Sequence, residues 1–522
     1  MLSYHVYVSI VKIVAVDLNF FSLHFFPRRL GYFLQLRNLF ALHDGMISMK
    51  MHPGGNGSAV SALVWNPLYI ITHWLGPIGS IDNKKVEQGV LKMAEKERDV
   101  SRRSFVKTGA MATAAISAFH VLKSHGASAK PLIKIGVIGC GGRGREAMKD
   151  ALRADDAVRI VALADIFPEK MELAKEELNK FDHPTNEIET FLGFKSYQEL
   201  VKTDCDYVIL ATPPCYRPET LEAAVAAKKH VFMEKPAAVD PQGIRRIIAA
   251  GEKAKELGLS IAAGTQRRHQ KEYIEAVNRM HDGAIGEIVN MQIFWAGGPI
   301  GFPKRKEEWS EVEWQIRGWY HWLWLSGDHI LEQHVHNIDV ANWIMGAHPI
   351  KAFGVGGCGW QERGNIWDHH AVHFLYPNGV DILSMCSQHP RKVSRVDERA
   401  QGTKGRSFTA QGGPWYLQDR HGKELWRFEG EKSAPYVQEH ADLMDSIRNN
   451  KGLNEARNVA ESTMTAMMGR MAEYTGDELT WEEALHSDEQ FPIYYEFGDV
   501  DDQGAPAPGG QKYTGEEGWQ PG

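Results

Sequence analysis

The sequence predicts an α/β domain with a doubly wound parallel sheet, followed by an α+β domain with an open, largely antiparallel sheet. Three observations carry this. An apolar strand runs straight into a Gly-x-Gly-x-x-Gly turn, strands and helices then alternate to about residue 267, and beyond that point come runs of alternating strands with few helices. The opening strand is Ile133–Ile138, with Gly139, Gly141 and Gly144 directly after it. Gly139 permits the tight turn, Gly141 lets backbone N–H groups approach a pyrophosphate, and Gly144 lets helix and strand pack. The helix N-terminus adds partial positive charge for phosphates. Gly142 and Arg143 lie in the same turn. The second strand, Val158–Asp165, ends on an acid about 20 residues past the glycines, where a carboxylate meets a ribose 2′-hydroxyl. The first domain is therefore expected to be a Rossmann dinucleotide-binding domain. Asp165 favours NAD, because a 2′-phosphate would meet like charge there, and makes NADP the less favoured cofactor.

The remaining elements follow in order. A helix is expected from about Gly144 to Leu152, another near Pro168–Phe181, a strand over Asp206–Ala211, a helix over Glu219–Lys228 and a strand from His230 to Met233. A helix over Gln242–Leu257 leads to a last strand from Ser260. After residue 267 come a helix (Tyr273–His281), a strand (Glu287–Trp295), a Trp-rich loop, a helix near His329–Met345 and strands including His369–Tyr376 and Val380–Ser387. Residues 130–267 are assigned to the nucleotide domain, 268–500 to a substrate and oligomerisation domain, and 501–522 to a Pro/Gly-rich tail.

Residues 93–129 have the three parts of an export signal. Ser101-Arg102-Arg103-Ser-Phe105 is followed by an uncharged run from Thr108 to Leu122 and by Ala127-Ser-Ala129. This resembles a twin-arginine signal peptide and implies a periplasmic or otherwise extracytoplasmic mature protein beginning near Lys130. The run is too short to span a bilayer, and no stable membrane span is expected in the mature chain. Residues 1–92 show no sustained periodicity and read as a misassigned start, Met93 being a natural one.

A net charge of −7 without a long basic run in the globular part argues against nucleic acid as a partner. Cys140, Cys205, Cys215, Cys358 and Cys386 show no C-x-x-C spacing, which points to thiols rather than a zinc site.

Glu234-Lys235-Pro236 ends a strand, and strand C-termini in such sheets face the ligand crevice. A lysine there could polarise a substrate oxygen or steady an alkoxide. Glu332, His336 and Asp339 recur at helical spacing, so a carboxylate could orient an imidazole acting as general base. His329, Glu332, His334 and His336 also invite a metal reading, but His334 points to another face and no H-x-x-x-H pair is present, so no metal is expected.

Together the glycine fingerprint, Ala211-Thr212-Pro213, Glu234-Lys235-Pro236, Gly283-Ala-Ile-Gly286 and the segment Gly327–Asp339 resemble the glucose-fructose oxidoreductase and inositol dehydrogenase (Gfo/Idh/MocA) group over essentially all of 131–500. The resemblance implies an NAD(P)-dependent oxidoreductase acting on CH–OH groups of sugars, polyols or related molecules. Lys235 and His336 would be catalytic, with Glu332 beside them. Thr212, Pro213, Glu234 and Lys235 would join Gly139, Gly141, Gly142, Arg143, Gly144 and Asp165 around the cofactor. The chain departs from the group at Glu332, where Asp is usual, at His334, where a small residue is usual, and at Arg217, where many members carry histidine.

Five tryptophans, Trp309, Trp314, Trp319, Trp322 and Trp324, are interleaved with Arg317, Tyr320 and His321. Indole faces suit sugar rings, so this loop is expected to wall the substrate pocket, with Arg317, Trp319, Tyr320 and Asp339 as substrate residues. The open sheet is expected to join copies of the chain into a dimer or tetramer. Two further readings remain open at this stage: a glycoside-cleaving enzyme that holds NAD and oxidises C3 transiently, and a catalytically silent NAD-binding sensor or scaffold.

Overall fold

The computed structural model describes residues 130–359, 364–390 and 394–499, together with three short strands, Ala41–His43, Met46–Met51 and Val60–Trp65. Those three strands pair antiparallel in a unit of their own, Met1–Ala127. The export signal placed at 93–129 and the tail at 501–522 lie outside the described residues. The second unit is Ser128–Gly522.

Its first sheet is parallel throughout. The strands are β1 (Ile133–Ile138), β2 (Val158–Asp165), β3 (Glu189–Leu192), β4 (Tyr207–Leu210), β5 (His230–Met233) and β6 (Ile261–Ala263). Their order is β3-β2-β1-β4-β5-β6, so the strand order reverses between β1 and β4, where a crevice opens at the strand C-termini. β1, β4 and β5 are apolar almost throughout, as expected of strands covered on both faces. Helices α1 (Gly142–Ala154), α2 (Pro168–Asn179), α3 (Arg217–Ala226) and α4 (Pro241–Glu256) provide the cover. At α4, Asp240 caps the first turn by accepting from the Gly243 N–H at 2.7 Å, and Pro241 starts the helix.

The second sheet has nine strands: β7 (Ile288–Ala296), β8 (Lys351–Gly357), β9 (His369–Leu375), β10 (Asp381–Ser387), β11 (Arg395–Gly402), β12 (Gly405–Ala410), β13 (Tyr416–Asp419), β14 (Glu424–Arg427) and β15 (Leu479–Thr480). The order is β14-β13-β12-β11-β7-β10-β9-β8-β15, antiparallel except for the parallel pair β7–β10. One face carries Met291, Ile293, Val372, Phe374 and Ile382, all buried. The opposite face leaves cross-strand rows in the open, with Leu383 beside Phe353's row and Met385 beside Val355's.

Two helices late in the chain tie the halves together. Pro435–Asn449 returns to the first sheet, where Leu443 and Met444 join the core formed by Ile135, Tyr207 and Phe232. Ala456–Thr475 is buried nearly all round and packs against both α4 and β8. Its Arg470, fully buried, donates to the Val239 carbonyl at 3.1 Å and the Gly327 carbonyl at 3.0 Å. One side chain thus holds both the segment following Lys235 and the segment leading to Glu332. Cys140, Cys205, Cys215 and Cys386 are buried thiols, and Cys358 is exposed. No described helix is long and apolar enough to cross a membrane.

Candidate active site

The glycine turn is built for two tasks, and the glycines divide between them. Gly139 takes φ +90°, and a Cβ there would meet the Ala211 backbone at 2.7 Å, while a Cβ on Gly144 would run into the Gly139 carbonyl. These two are required by the protein's own packing. A Cβ on Gly141 or Gly142 would meet nothing within 4 Å. Bare backbone at those two positions faces a cavity of about 430 Å³ lined also by Asp165, Thr212 and Pro213. Helix α1 begins here without any side-chain cap, leaving its first N–H groups free for an anion. Thr212 Oγ1 is buried in the same wall with no protein partner. The arrangement fits a dinucleotide.

Asp165 accepts from the Cys140 N–H at 2.6 Å and the Phe167 N–H at 2.9 Å. Burial raises its pKa, and those N–H groups partly offset the rise. Each oxygen retains a second lone pair for a ribose hydroxyl. Arg143 lines the same cavity, and its guanidinium is engaged by protein groups. It pairs with Glu234, and with Asp150 and Glu439 at 3.3 Å each, and lies 4.9 Å over the Tyr436 ring. Glu234 is thereby held buried beside the strand end that presents Lys235. Arg217, fully buried, donates to the carbonyls of Thr212 and Pro236, tying the loop after β4 to the loop after β5.

The second wall comes from residues 328–336. Instead of one continuous α-helix over His329–Met345, Ile330–His334 form a wider π-turn that runs into the α-helix Val335–Met345. Such turns recur at functional sites because they release backbone carbonyls and re-aim side chains. Here the Lys235 ammonium donates to the backbone carbonyl of Glu332 and, at 3.1 Å, to its carboxylate. Burial pushes the Glu332 carboxyl up, and Lys235 and Arg217 pull it partly back. The carboxylate expected to orient His336 therefore holds Lys235, because the π-turn breaks the i,i+4 alignment. His336 instead stacks on Trp295 with centroids 5.8 Å apart, and its buried Nδ1 has no protein partner. Burial, followed by Lys235, Arg267 and Arg143, pushes its pKa well below the ordinary 6.5. The imidazole is neutral and can accept a proton.

Behind this wall is a buried charge network that motif reading missed. Asp328 takes φ +106°, unusual for a non-glycine residue. Its carboxylate accepts from the His329 N–H at 2.5 Å, the Trp367 N–H at 3.2 Å and the Tyr474 hydroxyl, and it faces His370 at 3.4 Å. His370 in turn binds Glu473 at 2.7 Å. Burial alone would lower the His370 pKa, but Glu473 and Asp328 outweigh it and raise it to about 10. Asp328 and His370 lie far apart in sequence on different elements, so only the packing of His370, on β9, against Asp328 could have exposed this link.

Other expected residues are placed elsewhere. Asp339 is taken up by Arg268, at 2.9 and 3.0 Å, and by Ser462 at 2.8 Å, so it is a buried ion-pair partner rather than a substrate contact. His334 turns to the sheet, where Nε2 meets Ser384 Oγ at 2.8 Å. Tyr320 points inward to His329 Nδ1 at 2.6 Å. Arg317 and Trp319 line the nucleotide cavity, not the space beside Lys235 and His336, because the chain leaving β7 crosses over the mouth of the first sheet.

Comparison with known proteins points to the same fold. Residues 133–262 match the GFO_IDH_MocA family model, an oxidoreductase family with an NAD-binding Rossmann fold. Over 283 residues, 53% of this chain and 75% of the relative, the sequence is 25% identical to the myo-inositol 2-dehydrogenase of Thermotoga maritima. Over 281 residues, 52% of this chain and 74% of the relative, it is 22% identical to the inositol 2-dehydrogenase of Rhizobium meliloti. Among solved structures, the fold is shared with the aldose-aldose oxidoreductase of Caulobacter crescentus at TM-score 0.55 and 20% identity, covering 67% of this chain and 99% of that one. The scyllo-inositol dehydrogenase of Lactobacillus casei matches at TM-score 0.52 and 20% identity, covering 68% and 99%. The chain is an oxidoreductase with an NAD-binding Rossmann domain and a second, mixed-sheet domain.

Proposed function

We propose that this protein is an exported, NAD-preferring oxidoreductase that interconverts a hydroxyl and a carbonyl on a sugar, a polyol or a sugar derivative. One observation supports it above the others: Lys235, at a strand end of the nucleotide domain, is held against the π-turn that carries the chain into neutral His336. A dinucleotide held at the glycine turn by Gly141, Gly142, Thr212 and Asp165 supplies a hydride acceptor or donor. His336 takes the hydroxyl proton as the substrate C–H bond is lost. Lys235 uses two of its three N–H donors on Glu332 and keeps one for the substrate oxygen as charge develops there. Glu332 is a positioning residue that fixes where that donor stands. The inositol in the names of the relatives supports the polyol class.

The test is a panel of sugars and polyols read at the nicotinamide absorbance, with mass spectrometry of the nucleotide carried by the purified protein. Oxidation of no panel member, with no nucleotide bound, would refute the reading. Preference for NAD rests on Asp165: Asp165→Ala should weaken NAD and narrow its advantage over NADP, and tighter NADP binding by the unaltered protein would overturn the assignment.

Export rests on the twin arginines and Ala127-Ser-Ala129, and N-terminal sequencing of the exported form should begin near Lys130. The open rows of the nine-stranded sheet, with Phe353, Val355, Leu383 and Met385 all exposed, support pairing between copies of the chain. Light scattering that shows only monomer would exclude it.

A further inference from the structure

The nucleotide cavity has an outer wall that the glycine turn does not supply. Pro303, Trp309, Ile316, Arg317 and Trp319 line it opposite Gly141, Asp165 and Thr212. Buried Val312 and Ile316 pack this wall into the core around Phe167 and Tyr216, and one of its ties to the nucleotide domain is charged. The Arg317 guanidinium lies 3.9 Å over the Phe167 ring and binds Glu169 at 2.8 Å and Glu313 at 2.9 Å. Phe167 is the residue whose N–H fixes Asp165, so the fastening falls where the ribose carboxylate is set. Phe497 stacks on Phe167 as well, at 5.6 Å and 17°. Gly498 accepts from the Val312 N–H at 3.1 Å, which ties the last described stretch of chain to the same wall.

We infer that Arg317 latches the outer wall over the adenosine half of the dinucleotide and sets how fast the dinucleotide exchanges. The inference rests on the nucleotide reading given above. The ring-lined space, with Phe167, Phe194, Tyr197 and Trp309 among its walls, suits the flat apolar faces of adenine. A dinucleotide leaving past this wall requires the guanidinium to give up an aromatic face and a carboxylate at once. Both contacts join segments far apart in sequence, so they tie the wall to the strand end that carries Asp165.

The experiment measures NADH release. Protein loaded with NADH is mixed with a large excess of NAD, and the decay of bound nicotinamide fluorescence gives the off-rate. Arg317→Ala should speed release on the order of tenfold, the scale of one lost stacked and paired cation. Glu169→Gln, at a residue whose side chain is 48% exposed and so tolerant of change, should speed it by a smaller factor in the same direction. Arg305→Ala, on the same segment but paired with Glu311, should leave the rate unchanged. Equal off-rates for the unaltered protein, Arg317→Ala and Glu169→Gln would overturn the latch while leaving the nucleotide site intact. Failure of the unaltered protein to bind NADH would overturn both. An equal gain in Arg305→Ala would show general loosening and also overturn the latch.

Discussion

Along the glycine turn, the groups that face the ligand cavity are backbone: bare Gly141 and Gly142, and the uncapped N-terminus of α1. At Lys235 and along residues 328–336 the groups that matter are side chains, each fixed by a charge or ring from another part of the chain. Lys235 stands on Glu332, His336 on Trp295, and Asp328 on His370 and Tyr474. The first wall depends on what is missing from its residues, the second on what distant residues supply. Nucleotide binding and proton transfer should therefore fail separately.

The largest expected effect is at the second wall. Lys235→Met and His336→Ala should each cut turnover by on the order of 10²-fold or more while nucleotide binding persists, the scale of a positioned acid–base group. Steady-state rates on one active polyol, set beside NADH titrations, check this. Near-normal turnover in both variants would break the comparison at its centre.

Within the glycine turn the effects should divide. Gly141→Ala should preserve the fold and weaken the dinucleotide on the order of tenfold or more, since its methyl group enters the ligand's space. Gly144→Ala should lower the melting temperature first, since its methyl group meets the Gly139 carbonyl. If Gly141→Ala binds normally, the open space at that position does not belong to the ligand.

A subtler difference appears with pH. The His370 pKa is raised to about 10, so the folded protein binds this proton more tightly than the unfolded chain does. Its stabilising contribution is complete below about pH 6.5, the ordinary histidine value, and is lost as pH rises towards 10. His269 behaves alike, because Asp442 and Glu455 outweigh burial and raise it to about 10. Melting temperatures followed from pH 6 to 10 should fall, and less steeply in His370→Gln. His336 runs the other way. Held well below 6.5, it stays neutral, and kcat should show no loss on acidification through pH 6.5.

The smallest effect on turnover should come from His334→Ala. Removing the partner of Ser384 should cost stability of about 1–3 kcal/mol, the scale of a buried polar group left unpaired, and change kcat severalfold at most. A turnover loss as large as that of His336→Ala would mean the wrong side of the segment has been assigned.

How much was legible in the sequence follows the same division. Strands Ile133–Ile138 and Val158–Asp165 occur at the predicted bounds because apolar runs closed by glycine or an acid mark their own ends. Helix limits moved by a residue or two, as at Arg217–Ala226, where Pro218 starts the helix earlier than the apolar period suggests. The Trp-rich segment, expected to wall the substrate pocket, sends Trp309, Arg317 and Trp319 to the cavity at the glycine turn. Its composition suits a sugar or an adenine equally, and only the path of the chain after β7 decides which. Asp339 and Glu332 were assigned by helical spacing, and the π-turn and Arg268 redirect both. Partners such as Arg268, Arg470 and His370 lie in other elements, and local pattern carries no information about them.

The π-turn also makes the length of the segment a determinant of its chemistry. Gly327 is pinned by Arg470 at one end and Asp339 by Arg268 at the other, with the five residues Ile330–His334 accommodated between them by a wider coil. Deleting one of those five would let an ordinary α-helix form and would turn whatever lies beyond by about 100° relative to the first anchor. His336 would then swing off Trp295, or the Asp339 anchor would have to break. No functional group need be lost for the site to be dismantled, so insertions and deletions in this stretch should separate active from inactive relatives more sharply than substitutions do.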